Sequence, residues 1–208
     1  MTTKVIGLGY SKTGTTTLRE CFREFGLPFI GFEVELTRQV VGGDPGPALA
    51  ALDAYEAAAN WPWPLIFREI DTAYPDSRFI LTVRRDPRTW LRSLVSQAKK
   101  KPRGEYREWV YGHANPVGHE SELIARYEAH NEAVRRHFAD RPEQLLEVCW
   151  ETGSGWQDLC GFLGRPIPAA PFPCANPSAS LAPEAGAAEP ADETGRNRWS
   201  LFGWRRSA

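Results

Sequence analysis

Residues 7–18 read GLGYSKTGTTTL, a run that gathers three glycines, one lysine and three consecutive threonines. Gly7, Gly9 and Gly14 let a backbone turn tightly and approach a ligand. Lys12 adds a positive charge, and Thr15, Thr16 and Thr17 offer hydroxyls beside amides that a helix N-terminus leaves unpaired. The short apolar run at 4–8 leads in as a buried strand would. Leu18, Cys21, Phe22 and Phe25 follow at helical spacing. Strand, loop and helix in that order form a cradle for a phosphate-like anion.

The details narrow the kind of anion site. A nucleoside-triphosphate loop needs Gly-x4-Gly-Lys-Ser/Thr, and Gly9 and Gly14 keep the glycine spacing. Thr15 stands in the lysine position, however, and the loop's lysine has moved forward to Lys12. A magnesium site also wants a carboxylate at the end of a later strand. The clearest later strand, 78–83, runs instead into Arg84 and Arg85. The dinucleotide fingerprint Gly-x-Gly-x-x-Gly fails as well, because Lys12 occupies the third glycine position. Behind that strand, Asp86 and Pro87 read as an N-cap and first helical residue. An arginine at the strand tip and a hydroxyl on the helix, Arg85 and Ser93, are spaced to hold one phosphate from two sides.

Three stretches together resemble the P-loop sulfotransferases: YSKTGTTT at 10–17, FILTVRRDPRTWLRS at 79–93, and GWQDLCGFLGRPIP at 155–168 with PFP at 171–173. The similarity extends from residue 4 to about residue 176 and is closest to the short sulfotransferase branch. It implies an α/β fold: a three-layer sandwich with a central parallel β-sheet flanked by helices, of the P-loop nucleotide-binding type. It implies 3′-phosphoadenosine 5′-phosphosulfate as co-substrate, with no metal. Ser11, Lys12, Thr13, Gly14, Thr15 and Thr16 would bind its 5′ end, and Arg85 and Ser93 its 3′-phosphate. Lys12 would also assist catalytically. Glu33 follows a short strand, where ligands bind in doubly wound sheets, and the family's loops carry a histidine or glutamate there, which makes it the first expected base. Glu69 and His113 are the alternatives. A basic, glycine-containing C-terminal segment typical of the family has no match here. An ATP-dependent phosphotransferase and a non-catalytic nucleotide-binding adaptor are the competing readings.

The elements that must position these groups are partly legible. Ala48 to Asn60 is alanine-rich and reads as a helix, and Leu65 to Tyr74 carries another helical pattern. Trp61 and Trp63 read as packing anchors, as does His130 on the apolar stripe of a helix spanning about 119–139. Residues 104–118 follow no period and read as a lid over the acceptor. A strand at 145–149 and a helix at 155–163 complete the pattern.

With 208 residues, 42% of them hydrophobic and 12% aromatic, the chain suffices for one packed domain. Domain limits are expected at 1–176, followed by an alanine- and proline-rich flexible tail at 177–208 ending in interleaved basic and aromatic residues. A formal net charge of −1 argues against nucleic acid as a partner. The four cysteines lack metal-ligand spacing and read as reduced thiols of a cytoplasmic protein. No apolar run reaches bilayer length, so membrane insertion is not expected. The expected partner is a small-molecule or glycan acceptor, and self-association into a homodimer stays open.

Overall fold

The computed structural model describes residues 3–101 and 104–173. The predicted tail, Cys174 and the basic-aromatic terminus lie outside the described residues. Five parallel strands form one sheet: β1 (Val5–Gly7), β2 (Phe29–Ile30), β3 (Ala57–Ala59), β4 (Arg78–Thr82) and β5 (Leu145–Val148), in the order β2-β3-β1-β4-β5. Val5 pairs with Ala57 on one side and Arg78 on the other, so β1 is central and its C-terminal end delivers the glycine-rich loop mid-sheet. The inner strands β1 and β3 are buried on both faces, and β4 nearly so, as the interior of a parallel sheet requires.

Helices cover both faces, making a three-layer α/β sandwich around a central parallel sheet. They are α1 (Thr15–Glu24), α2 (Val34–Val41), α3 (Gly46–Leu52), α4 (Phe67–Ala73), α5 (Pro87–Lys100), α6 (Glu105–Tyr111), α7 (Glu120–His137) and α8 (Trp156–Leu163). One layer of core joins Leu18, Cys21 and Phe22 of α1 to Leu159 and Cys160 of α8 beneath the sheet. The opposite layer joins Ile70 of α4 and Val134 of α7 to Ile6, Phe79 and Leu81. A third cluster joins Tyr10 of the loop after β1 and Trp61 after β3 to Trp90, Tyr111 and Tyr127.

The helix expected through 48–60 is corrected: α3 ends at Leu52, and Ala57, Ala58 and Ala59 form β3, fully enclosed between β1 and β2. Alanine favours helices in isolation. Here its small size decides, because β3 lies so close to β1 that a Cβ on Gly7 would meet the Ala59 Cβ at 2.9 Å. Buried Lys4 secures the turn before β3, its Nζ donating to the carbonyls of Leu52 and Tyr55 at 2.9 and 2.7 Å. Part of the stretch expected to be irregular, 104–118, is also ordered as α6. Trp61 and Trp63 are wholly buried, as expected of packing anchors.

Candidate functional site

The loop between β1 and α1 is built to turn its amides toward one spot. Four of its carbonyls are claimed by groups outside: Leu8 by His130 Nε2 at 2.8 Å, Ser11 by Trp90 Nε1 at 3.0 Å, Lys12 by Arg84 Nε at 2.6 Å and Gly14 by Trp150 Nε1 at 3.2 Å. The Tyr10 carbonyl is taken within the loop by Thr13 Oγ1 at 2.7 Å. With those acceptors occupied, what the loop offers a ligand is N–H. The first helical bond of α1 is made by the Leu18 N–H to the Gly14 carbonyl, so the amides of Thr15, Thr16 and Thr17 precede it and remain for an anion. α1 has no acidic residue in its first turn to compete.

Backbone conformation singles out the same place. The two non-glycine residues with positive φ among the described residues are Lys12 at 80° and Asn60 at 76°, and both line this cleft. Such conformations cost free energy and persist where surrounding bonds impose them. Asn60 Oδ1 accepts from Ser11 Oγ at 2.6 Å and from the Trp61 N–H at 3.0 Å, which locks the end of β3 to the loop. Gly14, with φ of 97°, lies so close under Trp150 that no side chain fits there. Gly9 is likewise confined by Thr82, whose hydroxyl bonds Thr13 Oγ1 at 2.6 Å behind the loop.

The resulting cleft, about 110 Å³, is lined by Ser11, Lys12, Gly14, Thr15, Thr16, Asn60, Arg84 and Gln97. Of the expected phosphate-loop residues, Thr13 alone is absent from the lining; it is buried and braces the loop from below. Burial pushes the Lys12 ammonium below its ordinary value, and the positive charges of Arg84, Lys100 and Lys101 push it the same way. No carboxylate is among the lining residues.

Arg84 is the residue that sequence reasoning passed over in favour of Arg85. Side chains alternate along a strand, so Arg84 shares the side of Thr82, which touches the loop. That parity was available in the sequence. Arg84 also pairs with Glu151 at 2.8 Å, and Glu151 accepts the Arg85 N–H at 3.1 Å. Trp150 and Glu151, on the turn after β5, thus hold the loop and the arginine together. Nothing in their spacing announced this, since only the sheet order brings β5 beside β4.

Arg85 turns along α5, half-exposed, meeting Asp86 Oδ2 at 3.4 Å and Thr89 Oγ1 at 3.4 Å. It borders a second cavity of about 500 Å³ together with Arg84, Tyr127, Asn131 and Arg135. Arg84 borders both cavities. Ser93 is half-buried on α5 and belongs to neither lining. Glu33 is exposed at the start of α2, its N–H donating to the Trp61 carbonyl at 3.0 Å, one residue from Asn60. Glu69 lines a separate groove of about 310 Å³ with Val40, Leu65, Trp109 and Arg126, which shares no residue with the loop cleft. His113 bonds Glu122 at 2.8 Å and is likewise not among the cleft residues. His130 is buried, stacked on Tyr10 with centroids 4.2 Å apart, and burial pushes it down to about 4. It is a neutral strut for the loop.

A family model described as a sulfotransferase domain matches residues 48–116 and 103–181, more than half of the chain. The matched stretches hold β3, β4, β5 and both arginines, and begin after the loop at 8–14. "Ava biosynthesis cluster protein M" of Aspergillus versicolor is 27% identical over 213 residues, covering 82% of this chain and 79% of its own. Among solved structures, a gluconokinase from Sinorhizobium meliloti 1021 is similar over 67% of this chain and 97% of its own, at 13% identity and a TM-score of 0.32.

Proposed function

The chain belongs to the sulfotransferase domain family, and on that premise we propose that it moves a sulfuryl group from 3′-phosphoadenosine 5′-phosphosulfate to a hydroxyl or amine of a small-molecule or glycan acceptor. The observation that carries this reading is the loop whose carbonyls are pinned outward, leaving amides, Lys12 and Arg84 around a cleft without a carboxylate. Such a site fits an anion that arrives without a metal. Asn60 follows β3, and Arg84 and Arg85 follow β4, where a magnesium-dependent phosphotransferase would need acidic ligands.

The cleft residues suit the 5′ end of this donor. Ser11, Lys12, Gly14, Thr15 and Thr16 would hold the 5′ end, with Thr13 bracing the loop. Arg85 and Ser93 are assigned to the 3′-phosphate; Arg85 borders the larger cavity that meets the first at Arg84. The donor supplies an activated sulfuryl group. Lys12 and the loop amides stabilise negative charge on the departing oxygen. As the acceptor oxygen or nitrogen bonds sulfur, its proton goes to Glu33, which the bonds through Trp61 and Asn60 tether to the cleft rim. A small-molecule acceptor also suits a relative named for a biosynthesis cluster.

Calorimetric titration with 3′-phosphoadenosine 5′-phosphate, against adenosine 5′-phosphate and magnesium-ATP, tests the donor assignment. The bisphosphate should bind tightest, and Arg85→Ala should reduce it to the level of adenosine 5′-phosphate. Preference for magnesium-ATP, or a bisphosphate affinity indifferent to Arg85, overturns the assignment.

A further inference from the structure

Gly112, with φ of 82°, ends α6 and turns the chain so that His113 comes back onto the first turn of α7. There it meets two residues it is separated from in sequence. His113 Nε2 lies 2.8 Å from Glu122 Oε2, and the His113 and His119 rings stack with centroids 3.5 Å apart and planes within 11°. One ligand atom from each of His113, His119 and Glu122 lies within 4.8 Å of the others. His119 and Glu122 are exposed and His113 is half-buried, so water can fill the remaining positions around a shared centre.

We propose that His113, His119 and Glu122 bind a divalent transition cation of the zinc class, fastening the 112–119 loop to the start of α7. Two imidazole nitrogens and one carboxylate oxygen are the donor set zinc accepts. Bonds of about 2 Å in a tetrahedral shell set ligand atoms about 3.3 Å apart, so binding requires the two stacked rings to rotate out of parallel until their in-plane lone pairs meet at one ion. Arg126 lies near Gly112, its nearest nitrogen 3.7 Å from where a Cβ there would sit. It opposes a cation, whereas Glu120 and Glu122 in the first turn of α7 favour one. Magnesium and calcium, which prefer all-oxygen shells, are excluded by the two nitrogens.

The untagged full chain should be titrated calorimetrically with zinc chloride, with magnesium chloride as the control. Zinc should bind at one equivalent and magnesium should give no saturable heat. His119→Ala and Glu122→Gln should each weaken zinc by at least about tenfold, the loss that even outer-shell changes bring. Cobalt substitution should show visible d–d bands without thiolate charge transfer, which separates this site from Cys149. Melting in EDTA should be the same for His119→Ala and the unaltered protein, since His119 is exposed. Absence of saturable zinc binding, affinity unchanged in both variants, or thiolate bands with cobalt each overturns the proposal.

Discussion

Lys12 is held in a conformation lysine seldom adopts, with its carbonyl on Arg84 and its ammonium half-buried among Arg84, Lys100 and Lys101. Burial first, and those charges second, lower its pKa from 10.5. The ammonium is therefore complete below that lowered value and lost as pH rises through it, so kcat/KM should decline on the alkaline side below pH 10.5. Lys12→Arg should carry that decline out of the measurable range, because guanidinium stays charged. A decline that survives in Lys12→Arg belongs to another group. Lys12→Ala should lower kcat by about 10²- to 10³-fold, the usual cost of one charge-stabilising donor. Glu33→Gln should abolish turnover while donor affinity, read by the same calorimetry, stays within about twofold, since a base contributes to chemistry rather than to holding the donor. Turnover preserved in Glu33→Gln removes it as the base.

At the scale of elements, α4 and α7 are joined by Asp71, a buried carboxylate that accepts from His137 Nε2 at 2.7 Å and from Arg141 at 2.9 and 2.7 Å. Burial alone would raise its pKa; the bonds from Arg141 and His137 outweigh burial and hold it below its ordinary 3.8. A carboxylate depressed in the folded state stabilises the fold above the unfolded pKa of about 3.9 and loses that contribution as pH falls through the folded value. Asp71→Asn should therefore lower stability at pH 7 by about 2 kcal/mol, as loss of charge-assisted bonds does, and the difference from the unaltered protein should shrink below pH 4. Urea unfolding at pH 7 and pH 3 checks both halves. An equal difference at the two pH values would assign the loss to packing. Because α7 also carries His130, which holds the Leu8 carbonyl, this tie steadies the loop from a distance.

Across the whole molecule, a net charge of −1 conceals a cationic cleft bordered at long range by exposed Lys100 and Lys101. Those lysines should steer an anionic donor without touching it. A Lys100→Glu, Lys101→Glu variant should slow donor association severalfold in stopped-flow at low salt, with kcat unchanged and the difference vanishing as the Debye length contracts toward about 3 Å at 1 M salt. A slowing that persists at high salt would mean the lysines contact the donor. The described residues contain no helix long and apolar enough to cross a membrane. Much of this organisation was legible from residue types alone: glycines and threonines after an apolar run announce an amide-lined loop, and Asp86 with Pro87 announces the start of α5, because these signals are local. The alanines of β3 misled for the same reason, since helix propensity is local whereas their burial between two strands is not. The indole of Trp150 on Gly14, Asn60 beneath Ser11 and the meeting of His113 with His119 and Glu122 were decided only in three dimensions. The amino-acid order determined which groups could bind an anion and in what fold. Sheet order and helix packing decided which of them meet, because those contacts join residues up to 136 positions apart that no period along the chain relates.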